Sequence, residues 1–168
     1  AGDADRLGDR LRGAGMVAEP VERVRRAAAL LAETGAKGVW ERASTTFAQA
    51  EGFHPGGGRV AGEAAPESVD VRDDGILWRV DLRGGPKTGH FIDQRDNRAA
   101  LAPLCAGRRV LDCFSGTGGF GIAAAKAGAT SVLAVDASKP SLERVAENAE
   151  LNGVADRVTA RAGDAFDV

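Results

Sequence analysis

Apolar residues along this chain change their spacing more than once, and each spacing predicts a different kind of element. From Pro20, the residues Val21, Val24, Ala28 and Leu31 recur at intervals of three and four, which places them on one face of a helix. Pro20 suits the first helical position, and Gly35 suits the left-handed residue that closes a helix. Before Pro20 the charges are dense and the periodicity is weak, so the opening residues read as loop or frayed strand. Gly38 to Glu41 reads as a short strand. Residues 52–66 hold a run of three glycines and two prolines, which predicts a loop or hairpin tip.

Residues 69–82 carry the clearest β pattern. Val69 and Val71 alternate, Asp73-Asp74-Gly75 supplies turn chemistry, and Ile76, Trp78, Val80 and Leu82 share one face. This is a hairpin with one buried side, ended by Gly84-Gly85-Pro86. An extended stretch from Thr88 to Ile92 then leads to Asp93, read as the N-cap of a short helix ending near Pro103.

After Gly107 the grammar changes again. Val110 to Phe114 is a short buried strand, followed by a glycine-rich turn and a helix from Phe120 to Ala127. Ser131 to Val135 is a second strand, ending in Asp136. Ser138 caps a helix that turns Leu142, Val145 and Ala149 inward and stops at Gly153, and Arg157 to Arg161 is a third strand. Strand, helix, strand, helix, strand with short connections predicts parallel pairing and right-handed crossovers, half of a doubly wound α/β sheet.

Composition narrows the field. Among 168 residues, 43% are hydrophobic and 27% charged, close to an ordinary globular chain. No apolar stretch approaches the roughly 20 residues of a membrane span, and no charged-then-apolar leader stands at the start. Two cysteines, Cys105 and Cys113, make no disulfide framework and have no metal-ligand spacing. No metal site is predicted, and the expected setting is cytoplasmic. Lys plus Arg is 22 against 24 Asp plus Glu, so no strongly basic nucleic-acid binder shows in the totals. A local excess does appear between Lys87 and Arg109, where five bases face two acids. Glycine is the unusual count, 23 residues, about twice the usual share of roughly 7%.

The glycines gather where chemistry is expected. Ser115-Gly116-Thr117-Gly118-Gly119-Phe120 lies between a strand and a helix, where small residues let the backbone turn tightly and approach a ligand. Asp136 stands twenty residues beyond Gly116, the distance at which an acid reaches ribose hydroxyls. An adenosine-bearing cofactor follows. A dinucleotide fingerprint fits only loosely, because the third glycine comes one position early or two late. S-adenosylmethionine fits better. Asp112 ends the first strand, where an acid can hold the ammonium group, and Asp164 follows the third, near the adenine amine. Methyl transfer is therefore the expected chemistry, with an NAD-dependent dehydrogenase as the alternative.

Leu111 to Phe120, preceded by Lys87-Thr88-Gly89-His90-Phe91-Ile92-Asp93-Gln94-Arg95-Asp96-Asn97-Arg98, resembles the RlmI-like class I methyltransferases, which form 5-methylcytosine in 23S ribosomal RNA. Val39-Trp40-Glu41-Arg42, Ala50-Glu51-Gly52 and Asp5-Arg6-Leu7-Gly8-Asp9 resemble parts of the domain that precedes the catalytic one in that family. The resemblance implies an α+β central domain with its β-hairpin over residues 1–86, then the first half of a Rossmann-like methyltransferase sheet over 87–168. It implies that Phe114, Ser115, Gly116, Thr117, Gly118, Gly119 and Phe120 wrap the methionine half of the cofactor. Asp136 would take the ribose with Ser138 nearby, and Asp164-Ala165 would border the adenine. Gln94 and Arg95 would reach the cofactor or the target pocket, while Lys87 and Arg98 would meet RNA phosphate. His90 and Trp78 are expected as packing residues.

The chain also departs from the family. The expectation is that the family's RNA-binding PUA domain is lacking before Ala1, and that its Asp-Pro-Pro loop and nucleophilic cysteine have no counterpart among the residues up to Val168. Cytosine C5 is a poor nucleophile and needs a thiolate added at C6. Cys105 and Cys113 read as structural, so no catalytic residue is nominated. The expectation is a truncated chain, inactive alone, whose first strand has an uncovered edge that invites a swapped copy or another partner. Methylation of another RNA base, such as guanine N7, and an inactive cofactor-binding module remain open alternatives.

Overall fold

A computed structural model describes residues 18–42, 57–84 and 89–167, the first four of these as backbone only. Contacts divide the chain into two units, residues 1–66 and 67–168. The division falls between Pro66 and Glu67, so the hairpin expected in the first domain belongs with the sheet of the second.

In the first unit, helix α1 (Ala18–Thr34) precedes the strands β1 (Gly38–Arg42) and β2 (Gly57–Gly62), which pair antiparallel with a bulge between Val39 and Trp40. Gly35, at φ 65°, closes the helix by donating its N–H to the Leu31 carbonyl. The buried stripe turns on Ala27, with Val24 and Leu31 half-buried beside it, and the expected Ala28 faces out. Strand β2 corrects the loop or hairpin tip expected over residues 52–66, since residues 57–62 are paired strand. Glycine weakens an isolated strand, but here the pairing with β1 supplies what local propensity lacks.

The second unit opens with the expected hairpin, β3 (Ser68–Asp73) and β4 (Ile76–Asp81), turned at Asp74-Gly75. Trp78 and Val80 are buried, and two helix asparagines described below occupy the free edge of β4. A 3-10 turn (Ile92–Gln94), helix α2 (Arg95–Leu101) and a second 3-10 turn (Ala102–Cys105) follow. Asp93 does not cap this segment: Phe91 holds the cap position and no side chain bonds there.

Then comes the alternation read from the sequence: β5 (Arg109–Cys113), α3 (Gly119–Lys126), β6 (Ser131–Asp136), α4 (Lys139–Leu151) and β7 (Val158–Ala162). The strands are parallel in the order β5-β6-β7. Both helices cover one face. Ile122, Ala124 and Ala125 of α3, with Ala149 of α4, close over Val110, Val132 and Val158. Full burial of groups such as Trp78, Ile122 and Val132 stabilises the fold by about 1.5–3 kcal/mol each. The other face is open, with Leu111 exposed, Leu133 half-buried and Thr159 exposed. Among the described residues β5 pairs on one side only. No helix among them is long and apolar enough to cross a membrane.

Candidate cofactor site

The carboxyl ends of β5 and β6 and the turn that leaves β5 make one rim. Asp112 pairs in register with Ala134, and Asp136 with Ala162. Residues two apart on a strand share a face, so Asp112, Asp136 and the position leading to Asp164 step outward along one side of the sheet. The three acids predicted as a set are therefore brought to one end of the layer.

Phe114 leaves β5 at φ 55°, a left-handed backbone costing a bulky residue about 1–3 kcal/mol. Its side chain is 66% exposed and meets Phe166 edge-on, with ring centroids 5.7 Å apart. Ser115 donates its N–H to the Val135 carbonyl, and Gly118 donates to Ser115, closing the turn. Gly118 sits at φ 87°, and a Cβ there would lie 3.2–3.3 Å from Ile122 and Val145. Only glycine meets both conditions.

Two carboxylates hold this turn and the start of the helix that follows it. Asp136 Oδ2 accepts the Gly116 N–H at 2.8 Å, and its Oδ1 accepts the Ser138 N–H at 2.8 Å. Each oxygen keeps acceptor capacity for a further donor. Asp112 Oδ2 accepts the Gly121 N–H at 2.8 Å in the first turn of α3, with no room for a Cβ on Gly121. Burial pushes the Asp112 carboxyl above its ordinary range; the Gly121 amide opposes this, and Asp136 adds to it. Ser138 caps α4 as predicted, accepting the Ser141 N–H. Asp164 Oδ1 accepts from Phe166 N at 3.0 Å, in the 3-10 turn Ala165–Asp167. Phe166 escaped the sequence reading, although an aromatic two positions after the third-strand acid was a usable signal.

The residues before β5 do something else. Arg98 is 5% exposed. It donates to Asp73 Oδ2 at 2.8 Å and to the Phe91 carbonyl at 2.9 Å, and lies 5.6 Å from the Trp78 ring centroid. This corrects its reading as a phosphate contact, since the guanidinium is spent inside the fold. Arg95 also pairs with Asp73, and Gln94 accepts from Asn97. His90 and Trp78 pack as expected, ring centroids 5.1 Å apart. Lys87 lies outside the described residues. Cys105 is buried and Cys113 exposed; both are free thiols.

These features fit S-adenosylmethionine. Asp112 is a buried carboxylate whose one hydrogen bond among the described residues comes from Gly121, a place suited to a cation. The Ser115 hydroxyl is buried in the turn with no hydrogen-bond partner among the described residues, a polar atom ready for a ligand. Asp136 retains acceptors at the rim. A doubly wound half-sheet with a small-residue turn and paired carboxylates defines a nucleoside-binding α/β fold. Residues 22–166 match the family model for S-adenosylmethionine-dependent methyltransferases, and the chain belongs to that family.

Its relatives sharpen the picture. Ribosomal RNA large subunit methyltransferase I of Aeromonas salmonicida is 44% identical over 116 residues, 69% of this chain and 29% of that protein. The Vibrio vulnificus protein of the same name is 42% identical over 114 residues, with 68% and 29% covered. The chain thus spans under a third of the length of these relatives. Among solved structures, SMU.776, described as a methyltransferase complexed with SAH, superposes with TM-score 0.60 at 35% identity, covering 65% of this chain and 29% of that one. The tRNA m1G37 methyltransferase of M. jannaschii shares the fold at TM-score 0.69 and 21% identity, with 87% and 41% covered.

Proposed function

We propose that this chain carries the cofactor half of a methyltransferase acting on large-subunit ribosomal RNA in the cytoplasm, with C5 of a cytosine as the target. The observation that supports it most directly is the rim itself, Asp136 fastening the glycine turn and Asp112 the start of the helix that follows, in a chain 44% identical over 116 residues to a large-subunit ribosomal RNA methyltransferase. The choice of C5 rests on the resemblance carried by Lys87 to Arg98.

S-adenosylmethionine, when bound, supplies an electrophilic methyl group on a sulfonium. The chain's residues bind and orient it. Asp112 would face the ammonium, Ser115 to Phe120 would follow the methionine portion, Asp136 would accept the ribose hydroxyls, and Asp164, Ala165 and Phe166 would border the adenine. The open sheet face and the edge of β5 left unpaired among the described residues belong to the same proposal, as surfaces that a second copy or another partner covers.

Calorimetric titration with S-adenosylmethionine and with NAD tests the cofactor assignment, and tighter binding of NAD overturns it. Labelled methyl transfer to 23S ribosomal RNA, followed by bisulfite mapping, tests the substrate. A methylated guanine, or no transfer with the full-length protein, removes the cytosine reading. Transfer by this chain alone would show that it supplies its own nucleophile.

A further inference from the structure

The glycine turn has small side chains and few means of holding its place. Its polar anchors outside β5 and α3 include the Gly116 N–H on Asp136 and the Thr117 carbonyl, which accepts from Asn148 Nδ2 at 3.0 Å. Asn148 lies on α4 and is 1% exposed. Its Oδ1 accepts the Arg79 N–H of β4 at 2.8 Å. One carboxamide thus spends a donor on the turn and an acceptor on the outer edge of the hairpin. Leucine would satisfy neither partner, and a carboxylate would lack the donor.

Asn152, one helical turn further on, provides an internal control. It accepts the Leu77 N–H at 3.0 Å and donates to the Leu77 carbonyl at 2.7 Å. It holds the same strand edge as Asn148 and has no bond to the turn. Val145, on the same helix, meets the space beside Gly118, so α4 braces the turn by packing as well.

We infer that Asn148 is a positioning residue for the cofactor turn, and that through it the hairpin β3–β4 helps set where the turn stands for the methyl donor. This rests on the S-adenosylmethionine reading above. When ribose hydroxyls draw on Asp136, the Asn148 bond keeps the far side of the turn seated.

The test compares Asn148→Ser with Asn152→Ser. Both lower the melting temperature, since both expose the β4 edge. Asn148→Ser is expected to weaken S-adenosylmethionine binding about tenfold and to speed amide exchange across residues 115–121. Asn152→Ser is expected to leave affinity within about twofold and turn exchange unchanged. Equal losses in both variants, or wild-type affinity in Asn148→Ser, overturn the inference. Should Asn148→Ser fail to fold, Asn148→Asp keeps the acceptor for Arg79 and removes the donor to Thr117, with the same outcomes read. Absence of binding in the wild-type protein would overturn the cofactor reading first, and this one with it.

Discussion

Asp136 accepts the Gly116 N–H at 2.8 Å, so the acid proposed for the ribose also fastens the turn proposed for the rest of the cofactor. Its other oxygen accepts the Ser138 N–H at the start of α4, so one side chain ties two loops. Hydrogen bonds to a charged acceptor contribute about 1.5–3 kcal/mol each. Asp136→Ala is therefore expected to lower S-adenosylmethionine affinity about a hundredfold. Asp136→Asn should fall nearer to alanine than to wild type, because its NH2 must face one of two N–H donors. Calorimetric titration of the three proteins decides it; wild-type affinity in the asparagine variant would exclude the carboxylate as a ligand.

Asp112 predicts a pH dependence whose sign differs between folding and binding. Burial first of all raises its carboxyl above the ordinary value of 3.8. A group that holds its proton more tightly when folded makes stability decline as pH climbs from the ordinary value through the raised one. A bound ammonium prefers the ionised form, so affinity for S-adenosylmethionine falls as pH drops through the raised value, by up to about tenfold per pH unit. Asp112→Asn should bind weakly with a flatter profile while its unliganded form melts no lower than wild type at neutral pH. Titrations across pH, paired with melting curves, check both signs.

The Asp73 cluster makes a separate prediction about stability. Burial alone would raise the Asp73 carboxyl, but Arg95, Arg98 and His90 together hold it below the ordinary range. Arg98→Ala strands that carboxylate and is expected to cost about 3–5 kcal/mol. Burial, then the nearby Arg98, lowers the His90 pKa below 6.5. The unfolded chain takes up that proton first, so stability is full above pH 6.5 and declines as pH falls toward the lowered value. Asp73 adds a second loss below pH 3.8. Denaturant titrations across pH should show the upper step vanish in His90→Asn while the lower one stays.

Much of this was written in local pattern. The strand–helix alternation after Gly107, the Ser138 cap and the Asp74-Gly75 turn depend on neighbours within a few positions, so periodicity and cap chemistry reveal them. The three rim acids were legible as positions for the same reason, each lying at or just beyond the carboxyl end of a strand. Arg98 was not, because a charged residue on a short helix reads as surface until Asp73, 25 positions earlier, is known to be buried beside it. Asn148 and Asn152 also look like solvent-facing polar residues, and their partners at Arg79 and Leu77 are 69 and 75 positions away. Strand β2 hid behind its glycines because its pairing with β1 is tertiary.

The open face of the sheet gives the last prediction. Leu111 is 52% exposed and Phe114 66% exposed, beside a strand with one unpaired edge among the described residues. An apolar strand edge in water favours pairing with another chain, and the adjoining groove lined by Leu111 and Leu133 adds apolar area to any such contact. This chain on its own is therefore expected to self-associate as concentration rises, seen as a growing mass in light scattering after size-exclusion chromatography. Leu111→Lys places a charge on that face without touching the helix-covered core, so stability should change by only about 0.5 kcal/mol while association weakens. Amides of β5 should exchange more slowly at high concentration than at low. A protein that stays monomeric at every concentration, with β5 already protected, would mean that the edge needs no cover.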